Sequence, residues 1–268
     1  MTSRLDAAVA ARGLARSRTH AAQLIDAGLV SVDGATVVKS SVRVADEAVI
    51  EVAASDHYVS RAAHKLLAGL DAFGVDVTGR VALDMGASTG GFTQVLRERG
   101  ATPVIAVDVG HGQLAATVAA DDEVIAVEGF NVRYMTPEVL AEASGIAIPP
   151  RIVTGDLSFI SLGHVLPAVA GVAAPDADLV LLIKPQFEVG RTGVREGLVT
   201  DPGRRADAVA TVLWSAWDAG LGTHGLIASP IVGTHGNAEY VVHLQPGATA
   251  DHGNPTVWLD EVERLSRG

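Results

Sequence analysis

"LDMGASTGGFTQVL", residues 83–96, places an acid and three glycines at the end of an apolar run. A glycine loop between a strand and a helix is where chains commonly hold phosphates or a cofactor. A P-loop needs a Lys and a Ser or Thr after its last glycine. Here Gly90-Gly91 is followed by Phe92-Thr93, which excludes it. A dinucleotide loop needs G-x-G-x-x-G opening onto a helix, and glycines at 86, 90 and 91 are spaced differently. What remains is a third kind of ligand, or a tight strand-to-helix turn that holds none.

Outward from this loop, apolar runs alternate with helical patterns. Strands are predicted at 80–84, 103–108, 124–127, 151–155, 178–183, 224–228 and 239–244. Helices are predicted near 60–73, 90–99, 136–143, 161–170, 202–219 and 256–265. Such alternation implies an α/β domain, a mostly parallel sheet with helices on both faces. The second strand ends in "VIAVDVG", which sets Asp108 17 residues after Gly91. Ahead of this domain, 4–12 and 18–27 read as short helices closed by Gly13 and Gly28. "LVSVDGATVV" reads as a hairpin turning at Asp33-Gly34, and "VRVADEAVIEV" as a further extended stretch. The expected division is residues 1–53, a linker over 54–60, and 61–268.

Composition narrows the chemistry. Among 268 residues there is no cysteine, which excludes disulfides, thiolate nucleophiles, zinc–thiolate sites and iron–sulfur clusters. No metal-ligand cluster is read from the sequence. No apolar run approaches the ~18–20 residues that span a bilayer, and the arginine-bearing N-terminus lacks a signal-peptide core, so a soluble, cytoplasmic protein is expected. The net charge is −11, but residues 1–45 hold six basic residues (Arg4, Arg12, Arg16, Arg18, Lys39, Arg43) against three acids. A basic head on an acidic body suits RNA that meets the head first.

Residues 4–34, "RLDAAVAARGLARSRTHAAQLIDAGLVSVDG", resemble the S4-type RNA-binding domain. That resemblance implies RNA contacts by Arg4, Arg12, Arg16, Arg18 and Lys39. Arg16 and Arg18 precede the second helix, so they and its N-terminal amides can face phosphates together. The loop Asp84-x-Gly86-x-x-x-Gly90-Gly91-Phe92 resembles motif I of class I, Rossmann-like, S-adenosylmethionine-dependent methyltransferases. This ligand has a carboxylate and an ammonium and needs no lysine. Asp84, Gly86, Ser88, Thr89, Gly90, Gly91, Phe92, Asp108, Asn131 and Asp156 are the cofactor candidates, with Asp84 expected on the ammonium side and Asn131 near the adenosine.

Methylation at pyrimidine C5 normally passes through a cysteine adduct, and there is no cysteine. Amine acceptors usually go with (N/D)-P-P-(F/Y) after the fourth strand, where this chain reads "GDLSFIS". A ribose 2′-hydroxyl needs a base or an electrostatic substitute. Lys65 in the helix before the first strand, Asp156 and Lys184 after the fourth and fifth strands, and Glu239 before a late strand all fall where strand ends form a ligand crevice. Lys184 follows five apolar residues and meets acids, so it reads as a base or as a cation orienting the hydroxyl.

This Lys–Asp–Lys–Glu set resembles that of the FtsJ-like ribose 2′-O-methyltransferases. Joined to "VSRAAHKL", "DVGHGQL", "IKPQFEVG" and "GNAEYVV", it resembles the TlyA family, cytidine 2′-O-methyltransferases of 16S and 23S ribosomal RNA whose members also carry the name hemolysin. The resemblance implies S-adenosyl-L-methionine as cofactor and ribosomal RNA or ribosomal subunits as partner, and no membrane. The linker "DHYVSR" lacks the Arg and Trp of some relatives. With eleven aromatics in the chain, Phe159 and Phe187 are the candidates for stacking a displaced base, and Arg191 and Arg195 for phosphates. Two rival readings are an RNA-binding scaffold without catalysis and a membrane-lytic toxin resting on helix 202–219, with Trp214 and Trp217.

Overall fold

The computed structural model describes residues 2–15, 17–52, 57–190, 197–233, 236–249 and 253–267. The N-terminal part comprises β1 (Thr2–Arg4), α1 (Leu5–Ala11), α2 (Arg18–Asp26), β2 (Val30–Val32), β3 (Ala35–Thr36), β4 (Arg43–Ala45) and β5 (Ile50–Val52). α1 and α2 bury Leu5, Ala8, Val9, Ala21 and Ile25 against Val30, Val44 and Ile50. β2 and β3 turn at Asp33 (φ 50°) and Gly34 (φ 82°), the two left-handed residues of a tight hairpin. The stretch expected to be one extended segment breaks instead into β4 and β5, which join different sheets: β4 pairs with β1, and β5 with β2. Arg12 accounts for the break, because its guanidinium donates to the carbonyls of Ala45, Asp46 and Ala48. β1 is also additional to the strands expected.

Asp6 explains the Arg-Leu-Asp start. Buried at the head of α1, it accepts from Arg4 Nε (3.1 Å) and Nη2 (3.0 Å), from Arg18 Nε (3.0 Å) and from the Ala7 amide (2.8 Å). The Arg4 hydrogen bonds, with Arg18 and Ala7, hold its carboxyl down at about 2 despite burial. A depressed carboxyl stabilises the fold above its unfolded value, and the gain is lost as pH falls from about 4 through about 2. Asp6→Ala is therefore expected to cost this part about 1–2 kcal/mol at pH 7, allowing for the solvent around both arginines. Hydrogen exchange over α1 and α2 in the full chain should show the loss at pH 7 and little difference near pH 2.

The second part comprises α3 (Ala63–Phe73), β6 (Ala82–Met85), α4 (Gly91–Glu98), β7 (Val104–Asp108), α5 (Ala116–Ala119), β8 (Val124–Glu128), α6 (Pro137–Ser144), β9 (Ile152–Gly155), α7 (Leu166–Val172), β10 (Asp178–Ile183), α8 (Pro185–Glu188), α9 (Pro202–Asp218), β11 (Leu221–Ala228), β12 (Tyr240–Pro246) and α10 (Leu259–Arg267). Its seven strands lie in the order β11-β12-β10-β9-β6-β7-β8, with β12 antiparallel to both neighbours. This is the seven-stranded, mostly parallel sheet expected. Alternate residues serve opposite faces: Leu179, Leu181 and Ile183 of β10 enter one core, and Val180 and Leu182 the other. α3 lies close on the second face because Gly69 has no Cβ; one there would stand 2.8 Å from Val241 Cγ1. The predicted helix over 161–170 divides into a 3₁₀ turn (Leu162–His164) and α7, with Pro167 in the first turn of α7, where its missing N–H costs no helix bond.

Topology places the site. The chain builds β6, β7 and β8 to one side, then returns to lay β9 on the other side of β6. The crevice at the carboxyl ends of β6 and β9 is the switch point where open α/β sheets hold ligands.

Candidate active site

Two cavities open at that crevice. The smaller, about 240 Å³, is lined by the glycine loop, the start of α3, and Asp156, Ser158, Lys184 and Glu239. The larger, about 500 Å³, runs along the ends of β7 and β8, past Asp108, Gln113, Phe130, Asn131 and Val132 to Leu157, Phe159 and Ile160. They share Gly86, Ser88, Asp156 and Ser158 as common wall.

The four candidate catalytic residues come together from four elements. Lys65 sits in the first turns of α3, Asp156 just past β9, Lys184 between β10 and α8, and Glu239 just before β12. β12 runs antiparallel to β10 with Tyr240 opposite Ile183, so the start of β12 lies level with the end of β10. Lys65 Nζ donates to Glu239 Oε2 at 2.6 Å and stands 3.6 Å from Asp156 Oδ2. Lys184 Nζ forms an ion pair with Asp156 Oδ1 at 2.6 Å and donates to Ser158 Oγ at 2.9 Å. The side chains of Lys65 and Glu239 are only 6 % and 2 % exposed, so the charges must balance one another, and two lysines against two carboxylates do so. Burial alone would raise the Asp156 carboxyl; Lys65 and Lys184 outweigh it and hold it below its ordinary value.

Asp84 stands differently from expectation. It is 1 % exposed, touches neither cavity, and accepts from Thr93 Oγ1 (2.6 Å) and Thr154 Oγ1 (3.0 Å). Burial drives its carboxyl up to about 6 against those two hydroxyls. Asp84 thus ties α4 and β9 beneath the loop. Gly90 likewise touches neither cavity. At φ 95° it turns the chain into α4, and a Cβ there would meet Val118 at 2.9 Å. Gly86, Ser88, Thr89, Gly91, Phe92, Asp108, Asn131 and Asp156 all line one cavity or both.

Asp108 accepts from the Ser88 amide (2.9 Å) and the Gly110 amide (2.7 Å), one on each carboxylate oxygen. Oδ1 also accepts from Gln113 Nε2 at 3.5 Å, whereas Oδ2 keeps a lone pair for a hydroxyl. Asn131 Oδ1 accepts from the Arg133 amide at the edge of the same cavity. Arg61 lines the smaller cavity, and its Nη1 atom, beside Gly28, is buried with no hydrogen-bond partner. Burial pushes this guanidinium down, opposed by Glu239, Asp156 and Asp26. An acid for a hydroxyl and an apolar strip for a base suit the adenosine part of S-adenosylmethionine. Among the described residues, no cluster of His, Cys, Asp or Glu is arranged to hold a metal ion.

Phe159 is 92 % exposed at φ 64°, with its ring centroid 5.3 Å from that of Phe187. Arg4 and Arg18 share Asp6, Arg12 serves the Ala45–Ala48 turn, and Lys39 is exposed. Arg16, Arg191 and Arg195 lie outside the described residues. Arg61, Gln113 and Ser158 were not anticipated from the sequence. Of these, Arg61 carried a signal, four residues ahead of Lys65 on the same helical approach.

Residues 58–246 match the FtsJ-like methyltransferase family and residues 3–50 the S4 domain. The 16S/23S rRNA (cytidine-2′-O)-methyltransferase TlyA of Mycobacterium tuberculosis is 47 % identical over 91 % of this chain and 90 % of its own length. Hemolysin A of Brachyspira hyodysenteriae is 36 % identical over 90 % of this chain and 99 % of its own. A solved structure from Streptococcus thermophilus, likewise called a hemolysin, superposes with a TM-score of 0.74 at 35 % identity, covering 99 % of this chain and 96 % of that one. An S4 head on an FtsJ-like body, matched nearly end to end, makes this chain a member of the TlyA family.

Proposed function

We propose that this protein transfers a methyl group from S-adenosyl-L-methionine to the ribose 2′-oxygen of cytidine in ribosomal RNA. The observation that carries the reading is the line Glu239–Lys65–Asp156–Lys184, held on the wall of a cavity that adjoins the Asp108 cavity. The cofactor, when bound, supplies an electrophilic methyl on a sulfonium. The residues do the rest. Asp108 accepts from a ribose hydroxyl of the adenosine, while Leu157 and Ile160 flank its base. Glu239 and Asp156 hold Lys65, and Asp156 in turn fixes Lys184. The Lys184 amine, facing the smaller cavity, would meet the target hydroxyl and orient its oxygen for in-line attack. The new carbon–oxygen bond replaces the donor's carbon–sulfur bond, and the hydroxyl proton goes to the amine where it is neutral or to water where it is charged. Phe159 and Phe187 offer a stacking surface for the target base, and the S4 head contacts neighbouring RNA.

The lytic reading finds no support in the helix it relied on. α9 buries Ala208, Val209, Val212, Leu213 and Ala216 in the core, and no helix among the described residues is long and apolar enough to cross a membrane.

Calorimetric titration with S-adenosylmethionine tests the cofactor seat. The parent chain should bind, and Asp108→Asn should bind about tenfold more weakly through loss of a charged acceptor. Equal affinity in the two would move the adenosine out of the Asp108 cavity, and no binding by the parent would overturn the reading.

A further inference from the structure

We propose that Ser158 is a positioning residue for Lys184, supplying the hydrogen-bond acceptor that, beside the Asp156 ion pair, sets the direction of its amine. The proposal rests on the reading of Lys184 as the group that meets the ribose hydroxyl. A tetrahedral amine nitrogen has one position bonded to Cε and three that carry N–H. Ser158 Oγ, at 2.9 Å, takes one as a hydrogen-bond acceptor, while Asp156 Oδ1 stands 2.6 Å away as an ion-pair partner outside hydrogen-bond geometry. Lys184 and Ser158 share the cavity wall. An ion pair is not directional, so with Asp156 alone Nζ could swing about its stem while keeping that contact. The Ser158 hydrogen bond removes the swing.

The backbone is arranged to deliver this hydroxyl. Asp156 and Ser158 are two residues apart just past β9, and the chain turns directly afterwards, at Phe159 with φ 64°. Left-handed backbone at a bulky residue costs on the order of 1 kcal/mol, and persists only where the surroundings hold it. Glu188 does so here. Its carboxylate accepts from Ser161 Oγ and from the Leu162 amide (2.9 Å), pinning the far side of the turn to α8. The segments 156–162 and 184–188 are therefore tied at both ends, by Lys184 at one and Glu188 at the other. Between the ties, Ser158 and Phe159 are both exposed, and the Ser158 hydroxyl reaches the Lys184 amine. Ser158 also lines the larger cavity, so it stands where the two cavities meet.

The test is single-turnover transfer of labelled methyl from S-adenosylmethionine to ribosomal subunits taken from cells lacking this protein. Ser158→Ala should slow transfer about tenfold, the scale of a misdirected reacting group. Its cofactor affinity and its half-saturating subunit concentration should stay within about twofold of the parent. Ser158→Thr, which keeps the oxygen, should recover transfer to within about threefold. Lys184→Ala is run alongside. If it keeps the parental rate, the reading of Lys184 fails and takes the role of Ser158 with it. If Lys184→Ala is inactive and Ser158→Ala runs at the parental rate, Ser158 alone is overturned. A slowed Ser158→Ala that Thr does not recover, or one slowed only through weaker subunit binding, also overturns it, because the loss then comes from the loop or from RNA contact.

Discussion

Lys184→Ala is expected to slow methyl transfer by about 10²- to 10⁴-fold while leaving S-adenosylmethionine affinity within about threefold. The size follows from what the amine does. A ribose hydroxyl is a weak acid and a poor nucleophile, and the described residues set one buried amine, facing the smaller cavity, against a carboxylate and a hydroxyl at the end of β10. The selectivity follows from position. Asp108 and Asn131, the cofactor candidates along the larger cavity, lie on the other side of the shared wall. Removing Lys184 leaves Asp156 with Lys65 at 3.6 Å, so the buried carboxylate keeps a counter-charge and the fold should survive. The check is the transfer rate beside calorimetric binding. Full activity would remove Lys184 from the reaction, and equal loss of rate and binding would make it a structural residue.

Asp84→Asn should stabilise the protein by about 2 kcal/mol at pH 8 and leave it unchanged near pH 4. Its carboxyl, driven up to about 6 by burial, binds a proton in the folded chain that an unfolded chain has released. A raised carboxyl favours the fold below the ordinary carboxylate range, and that advantage is lost as pH climbs through about 6. At pH 8 the buried charge therefore persists at a cost that the amide, of the same shape, does not carry. Denaturant midpoints at the two pH values provide the measurement. A gain that is the same at both, or absent at pH 8, would show that burial does not set the charge of Asp84. An anion kept at such a cost beneath the cofactor loop is of a kind that a sulfonium and an ammonium above it would favour. The stabilised variant should accordingly bind S-adenosylmethionine less tightly, a trade of affinity for stability.

Much of this site was legible because strands end where apolar runs end. Asp156 and Lys184 each follow a run that can only be a buried strand, and in a sheet wound to both sides such ends converge. Lys65 and Glu239 could be placed in the same way, one on the preceding helix and one ahead of the returning strand. Asp84 shows where that logic stops. The sequence puts an acid at the end of the first strand, but side-chain direction alternates along a strand, and this one points into threonines of α4 and β9 rather than into the crevice. Ser158 was hidden for another reason. Its contact depends on the turn at Phe159, and nothing in "DLSFIS" announces a left-handed residue where glycine is absent. In the first part, helices and hairpin were plain from their glycines. The division of β4 from β5 was not, since it depends on Arg12 reaching across to three carbonyls some 33 to 36 residues away.

The central claim is that methyl goes to a sugar oxygen, and locating the methyl tests it most directly. Ribosomal subunits from cells lacking the protein, treated with the purified chain and labelled S-adenosylmethionine, are digested to nucleosides and separated by mass. The account predicts label in 2′-O-methylcytidine, absent when Lys184→Ala replaces the parent chain. Label on a base, or on the ribose in equal amount with Lys184→Ala, would contradict it.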